Sequence, residues 1–280
     1  MPNIHYELLD SGHRNRLERF QNRILLRPDN LCLWHPKAEA SLWEKADALY
    51  QKDAQGNFYW KTRQKLDPWP VHFEVGEKSL VFLLRLGPSK NIGVFPEQVS
   101  NWEWIQAHLK PGSKVLNLFA YTGGASLISA HCGAEVTHVD ASKAAISWAK
   151  ENQQLNYLDP RSIRWIEEDC LSFMQREIKR KNSYDAIILD PPAFGRDPKG
   201  RQFSFETHIH ALLKAAQELL SSKAQFLLIN TYTSGYPPSL LHNLLLEYFP
   251  NQSLDCGELQ IKHADQMRDL SCGIYGRVLF

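Results

Sequence analysis

From Gly112 onward the chain alternates short, almost wholly apolar runs with longer segments of helical period. The pattern predicts strands at 114–119, 135–139, 163–167, 184–189 and 224–230, and helices near 102–109, 124–132, 142–154, 170–180, 205–222 and 238–248. Runs such as VLNLF, Val115 to Phe119, have no polar side. Strands of that kind are buried on both faces, which makes the alternation an α/β, doubly wound, Rossmann-like parallel sheet with helices on each side. The last apolar segments, around Glu258 to Lys262 and Ile274 to Leu279, read as a terminal hairpin. The chain before residue 96 differs. Val71 to Leu86 alternates with a period of two, as in HFEV and SLVFLLRL, and long helical patterns are few. The chain therefore divides into a smaller, Trp-rich N-terminal α+β or β-rich domain at 1–95 and an α/β domain at 96–280. The boundary near Gly93 to Asn101 is soft, because neither a low-complexity linker nor a repeat marks it.

Chemistry concentrates between Val115 and Ser142. A strand ends in a turn holding Gly123 and Gly124, a helix follows, and a second strand closes on Asp140. Glycines permit tight turning and close backbone approach, and an acceptor at the end of the second strand can take both ribose hydroxyl protons. Nicotinamide cofactors are held in the same way, so this piece alone leaves two cofactor classes open. A third strand ends at Asp169 in IRWIEEDC, and a fourth, in SYDAIILDPPAFGR, ends at Asp190, Pro191, Pro192, Ala193 and Phe194. That last motif sets a carboxylate, a rigid backbone and an aromatic ring at the carboxyl edge of the sheet, where open α/β folds bind ligands. A dehydrogenase has no use for it, and FAYTGG lacks the GxGxxG spacing of a nicotinamide site.

These spacings resemble the class I S-adenosylmethionine-dependent methyltransferases. The likeness extends to SGHRNRLERF with RPDNLCLW, to LRLGPSKNIGVFPEQVSNWEW, to DPPAFGRDPKGR and to the ending RDLSCGIYGRVL. Together they are similar to a bacterial family close to the 23S rRNA cytosine and rRNA guanine-N2 methyltransferases. The resemblance implies a seven-stranded sheet whose antiparallel last strand comes from the terminal hairpin. It implies S-adenosyl-L-methionine as cofactor, held by Phe95, Gln98, Asn117, Phe119, Tyr121, Thr122, Gly123, Asp140, Ala141, Ser142, Asp169, Cys170 and Asp190. In this scheme Phe95 walls the adenosine pocket from the GVFPEQ segment, Gln98 offers a hydrogen bond, Asp140 holds the ribose and Asp169 the adenine amino group. The loop from Phe119 to Gly124 takes the methionine end. A turn at Pro96 that merely starts a helix is the plainer alternative for GVFPEQ.

Methyl transfer is mainly positioning and electrostatics. Asp190 and the Pro191 carbonyl are placed to accept the protons of an exocyclic amine, with Pro192 stiffening the turn and Phe194 stacking on a flipped base. Carbon methylation needs a cysteine thiolate instead. In the similar cytosine enzymes that thiol follows the fifth strand, where this chain reads FLLINTYTSGY, without cysteine. Cys272 is the remaining candidate thiol, and a strand cysteine is the alternative. Nitrogen is favoured over carbon, with RNA, ribosomal RNA in particular, as the expected substrate. Arg196, Lys199 and Arg201 in GRDPKGR are candidate substrate-phosphate contacts, or simply a solvated loop. Methylation of a protein side-chain amide is the runner-up, and a non-catalytic cofactor-binding RNA or assembly module is the alternative from another class.

Composition narrows the picture further. A net charge of +1 over 280 residues excludes binding to polyanions through total charge. Local patches matter more. Arg16, Arg19, Arg23 and Arg27, spaced by three and four, predict a helix with a basic stripe, solvated or facing RNA phosphates. Trp34, Trp43, Trp60 and Trp69 read as core aromatics, with base stacking as the alternative. Five scattered cysteines form no CxxC pair, and His208 and His210 stand two apart, so no metal site and no disulfide framework is expected. No apolar run reaches the roughly 18 residues of a membrane span, and the N-terminus has no hydrophobic signal core, which predicts a cytoplasmic protein. The oligomeric state is open.

Overall fold

The computed structural model describes residues 5–196, 200, 202–233 and 235–280. The chain forms two compact units, Met1–Glu97 with Gln260–Ser271, and Gln98–Leu259 with Cys272–Phe280.

The first unit contains strands β1 (Tyr6–Gly12), β2 (Asn15–Phe20), β3 (Arg23–Pro28), β4 (Ala48–Lys52) and β5 (Phe58–Thr62) in one sheet, in that order, with a short helix α1 (Ala40–Trp43) between β3 and β4. β6 (Trp69–Val75) and β7 (Lys78–Leu84) pair separately as an antiparallel hairpin. The expected basic helix is absent from residues 15–28. Gln21 takes a left-handed conformation at φ +56° and turns β2 back on β3, so the arginine spacing of three and four is split across a hairpin. Arg16 and Arg27 then lie directly opposite one another. Like charges so placed repel, and Glu18, two residues from Arg16 on the same strand face, resolves the conflict. Its carboxylate accepts Nε and Nη2 of Arg27, each at 2.7 Å, and the Tyr6 hydroxyl at 3.1 Å, with Arg16 Nε 3.3 Å away. Glu18 and Arg27 are 0% and 1% exposed. Burial pushes the Glu18 carboxyl up, and the two guanidinium groups more than reverse this, leaving it below the usual glutamate range.

The tryptophans of this unit are tied into it. Trp34 Nε1 donates to Ser11, Trp43 Nε1 to Asp10 and Trp60 Nε1 to the Ser89 carbonyl, and Trp69 is buried.

The second unit begins with α2 (Val99–His108), preceded by a 3-10 turn at Pro96–Gln98. The elements then alternate: β8 (Lys114–Leu118), α3 (Gly124–His131), β9 (Glu135–Asp140), α4 (Lys143–Leu155), β10 (Ile163–Glu167), α5 (Cys170–Lys179) and β11 (Ala186–Leu189). A short hairpin of β12 (Phe194–Arg196) and β13 (Gln202–Ser204) precedes α6 (Phe205–Leu219), β14 (Phe226–Thr231), α7 (Pro238–Tyr248), β15 (Ser253–Lys262) and β16 (Asp269–Leu279). The seven-stranded sheet has the order β10-β9-β8-β11-β14-β16-β15, with β16 antiparallel to β14. Strands β11 and β14 are buried at every position, as the unbroken apolar runs AIIL and FLLI require, and Asn230 and Thr231 are buried with them at the end of β14. Local capping sets where the helices begin: the side chains of Ser142, Asp169 and Ser204 accept the backbone N–H three residues on. The strand order reverses between β8 and β11, and their carboxyl ends form the topological switch point of the sheet. Among the described residues, no helix is long and apolar enough to cross a membrane.

Candidate active site at the carboxyl edge of the sheet

The loop leaving β8 is bent into an unusual shape. Phe119 and Tyr121 both take left-handed backbone conformations, at φ +56° and +48°, as does Gly123 at +94°. For non-glycine residues this costs about 1–3 kcal/mol each and persists only where neighbours enforce it. Here they do. Phe119 N donates to Cys170 Sγ at 3.2 Å, Ala120 N to the Val139 carbonyl at 3.2 Å, and Tyr121 N to Asp140 Oδ2 at 2.8 Å. Asn152 Nδ2 holds the Thr122 carbonyl at 3.0 Å. Beneath the loop, Asn117 Nδ2 donates to Ser126 Oγ at 2.9 Å, which lies 3.0 Å from His138 Nδ1. All three are buried, and burial pushes His138 down to about 3, so its ring is neutral. Gly124 opens α3 against Trp102, where a Cβ would stand 2.5 Å from Cζ2 of the indole.

Asp140 closes β9. Its Oδ1 accepts the Ser142 N–H at 2.8 Å and its Oδ2 that of Tyr121. Each carboxylate oxygen has a second lone pair, so the pair can also take two vicinal hydroxyls. Burial raises the Asp140 carboxyl above the ordinary aspartate value, against the lowering effect of the two N–H donors. Asp169 caps α5, accepting the N–H and the hydroxyl of Ser172 at 2.9 and 2.6 Å. Beside it a cleft of about 150 Å³ is walled by Leu171, Gln175, Phe203 and His208. The Phe203 ring lies 5.3 Å from that of Phe119 and stacks on His208 at 4.8 Å.

Asp190 follows β11 and its backbone N–H reaches the Leu118 carbonyl at 3.3 Å, so the DPP segment starts at the switch point itself. Pro191 is buried, Pro192 is exposed, and the Phe194 ring is 73% exposed on β12. The structure thus gathers Phe119, Tyr121, Thr122, Gly123, Asp140, Ala141, Ser142, Asp169, Cys170 and Asp190 at neighbouring strand ends of one sheet edge. Asn117 lies below them, within β8. Cys170 is buried with its thiol raised well above the usual value by burial, which suits a structural role. Phe95 is half-buried in the first unit. Gln98 Nε2 donates to the Tyr232 hydroxyl and its Oε1 accepts from Asn101 Nδ2. Arg196 pairs with Gln202 through its backbone, whereas its side chain, Lys199 and Arg201 lie outside the described residues. Phe203, His208, Ser126 and His138 carry no motif, and sequence reasoning gave them no place in the site. Among the described residues no cluster of His, Cys, Asp and Glu could hold a metal ion.

The chain is similar to known proteins. The chain is 34% identical over 172 residues to the ribosomal RNA large subunit methyltransferase K/L of Shewanella sp. (strain ANA-3), covering 60% of this chain and 24% of that protein. It is 31% identical over 160 residues to the protein of the same name from Colwellia psychrerythraea, covering 56% and 22%. It therefore spans about a quarter of the length of these curated relatives. The crystal structure of a SAM-dependent methyltransferase from Agrobacterium tumefaciens superposes with a TM-score of 0.91 at 38% identity, covering 98% of this chain and 90% of that one. A methyltransferase structure in complex with SAH shares the fold, with a TM-score of 0.77 at 18% identity over 98% and 75% of the two chains. The sequence pattern of the S-adenosylmethionine-dependent methyltransferases matches residues 25–248, and with the switch-point site in place, the chain belongs to that family and uses that cofactor.

Proposed function

We propose that the chain methylates an exocyclic nitrogen of a base in RNA, ribosomal RNA being the substrate class named for its curated relatives, and that it does so in the cytoplasm. The observation that carries this reading is Asp190 at the switch point, followed across a rigid Pro-Pro turn by the Phe194 ring, which is left 73% exposed. A carboxylate at a ligand-binding edge and a large exposed ring four residues on supply a proton acceptor and a stacking surface.

The cofactor fits the loop and Asp140. The carboxylate is placed for the ribose diol, Asp169 and the cleft beside it for the adenine, and the Phe119–Gly123 backbone for the methionine end. S-adenosylmethionine bound there supplies an electrophilic methyl on a sulfonium that is its own leaving group. The chain's part is to hold the acceptor. Phe194 stacks on the base, and Asp190 with the Pro191 carbonyl accepts the amine protons, concentrating the nitrogen lone pair on the incoming carbon. The end of β14 and the segment after it read Asn230, Thr231, Tyr232, Thr233 and have no thiol for addition to a pyrimidine ring, which supports nitrogen over carbon.

Transfer of labelled methyl to total RNA and total protein from a strain lacking the protein tests this, with Asp190→Ala as the control. Label in a base-methylated nucleoside, lost in the variant, is the expected result. Label in protein alone would replace RNA with a side-chain amide, and a C-methylated nucleoside would refute the nitrogen assignment.

A further inference from the structure

Three helices of the second unit, α3, α4 and α5, run back from the carboxyl edge of the sheet and end at its amino edge in the same way. The residue after each cap takes a left-handed conformation: Gly133 at φ +81°, Tyr157 at +52° and Lys181 at +58°. Its N–H and that of the next residue bond back to carbonyls of the last turn, Gly133 to Ala130 and Ala134 to Ser129, Tyr157 to Gln154 and Leu158 to Gln153, Lys181 to Ile178 and Asn182 to Glu177. Glycine, and after it asparagine, fills this ending with least strain. After α3 the chain uses glycine. After α4 it uses a tyrosine that is 95% exposed, so that packing does not account for it, and after α5 an exposed lysine, each at a cost in backbone strain.

The same amino edge is cationic. A cleft of about 510 Å³ opens where β8, β9 and β10 begin, and Lys114, Arg161, Arg164 and Lys181 line it. Two carboxylates line it as well, Glu135, the register partner of Lys114, and Glu177. Glu177 is 1% exposed and already bonded to Arg180, Asn182 and Tyr184 at 3.3, 2.7 and 2.8 Å. Arg161 pairs with Asp159 at 2.9 Å. Lys114, Arg164 and Lys181 are exposed, and none of them has a carboxylate within 4.0 Å of its charged group among the described residues. Tyr157 stands in the same loop as Arg161, between α4 and β10. With a net charge of only +1 on the whole chain, a polyanion has to be held through local groups of this kind.

We propose that this amino edge is a second contact for the RNA substrate, separate from the edge at which the methyl group is transferred. Lys114, Arg164 and Lys181 take backbone phosphates of a single-stranded stretch, and Tyr157 stacks on one of its bases. A cationic groove beside an exposed ring is the combination that holds single strands without reading their sequence. β8 is five residues long, so the two edges stand about 15 Å apart at roughly 3.3 Å per residue, a distance that one stretch of RNA spans. The inference rests on RNA being the acceptor. A side-chain amide in a protein substrate offers these groups neither a phosphate nor a base.

The test uses the full chain, labelled S-adenosylmethionine, total RNA and total protein from a strain lacking the protein, and calorimetric binding of S-adenosylhomocysteine. Tyr157→Asn suits the left-handed helix end better than tyrosine does. The variant should keep or raise its urea midpoint while its KM for RNA rises about ten-fold, with kcat and the S-adenosylhomocysteine Kd unchanged. A merely structural role would not separate stability from RNA affinity in this way. Lys114→Gln, Arg164→Gln and Lys181→Asn combined should flatten the dependence of log KM on log salt by about 2, at roughly 0.7 per phosphate of a single strand. Wild-type KM and salt slope in both proteins, with RNA still methylated, would overturn the amino-edge contact alone. Label in protein and none in RNA from the wild-type chain would remove the RNA reading and this inference with it. Calorimetric binding of AMP that the combined variant loses while keeping its KM for RNA would give the cleft to a free nucleotide and also overturn the RNA contact.

Discussion

Arg27→Ala separates two accounts of the arginines near the N-terminus. On a solvated or RNA-facing helix, losing one guanidinium would leave stability within about 0.5 kcal/mol and flatten the salt dependence of RNA binding by about one counterion. In the structure Arg27 is 1% exposed and supplies two of the short bonds to a carboxylate that is itself 0% exposed. Its removal leaves Glu18 with Arg16 at 3.3 Å and the Tyr6 hydroxyl. Breaking one partner out of a buried pair costs about 3–5 kcal/mol, mainly from the uncompensated charge left behind. With a urea m-value of about 1–3 kcal/mol/M, the unfolding midpoint should fall by at least about 1 M. Trp34, Trp43, Trp60 and Trp69 lie in this unit and the other four tryptophans in the second, so fluorescence follows unfolding of the whole chain. The pH dependence supplies a sign. The Glu18 carboxyl is held below its ordinary value, so its contribution is present above the unfolded glutamate pKa and is lost as pH falls through the depressed folded one. A loss under about 1 kcal/mol, together with a shallower salt slope for RNA, would refute the buried-cluster argument.

Gly124→Ala should destabilise the second unit by about 1–3 kcal/mol and weaken S-adenosylhomocysteine binding, because the added methyl overlaps the buried Trp102 indole at the root of the loop; urea unfolding and calorimetry on one preparation check both. S-adenosylhomocysteine affinity should be flat near neutral pH and decline as Asp140 takes up a proton, at a pH above the usual aspartate range because burial raises that group; Asp140→Asn should bind weakly with no such decline, and an identical pH profile in the variant would exclude Asp140 as its source.

The second unit was legible because its fold depends on signals that sequence carries locally. Largely apolar runs mark β8, β11 and β14, and capping residues such as Ser142 and Asp169 mark where helices start. Most boundaries lie within two residues of the expected ones. The first unit was harder. NRLERF and RILLRP look helical in their arginine spacing, and only the pairing of Glu18 with both Arg16 and Arg27 across a hairpin makes the strand arrangement sensible. Long-range partners were invisible for the same reason. Asn101 hydrogen-bonds both Asn230 and Arg277 from more than 100 residues away along the chain, and no spacing rule connects them. Phe203 went unread because it lies between the DPP motif and a helix, in a stretch whose only obvious feature was charge.

The strained loop and Asp140 explain one another. Two left-handed non-glycine residues cost about 2–6 kcal/mol together, and the charge-assisted bond from Tyr121 N to Asp140, at about 1.5–3 kcal/mol, offsets part of that only while the carboxylate is ionised. In the proposed cofactor pose, one side chain would therefore both shape the backbone that faces the methionine end and offer its remaining lone pairs to the ribose. That coupling also sets a limit on what substitution can achieve. An amide at this position keeps one oxygen, so it can serve either Tyr121 or Ser142 but must turn an NH2 toward the other donor. Loop geometry and ribose recognition should fail together, and no isosteric change at Asp140 can separate them. By contrast Asp169 caps a helix and, in the same proposed pose, would also serve the adenine side, and there Ser172 could keep the cap partly intact through its own hydroxyl. The acidic group at the end of β9 is thus the less replaceable of the two, which follows from its hydrogen bonds alone.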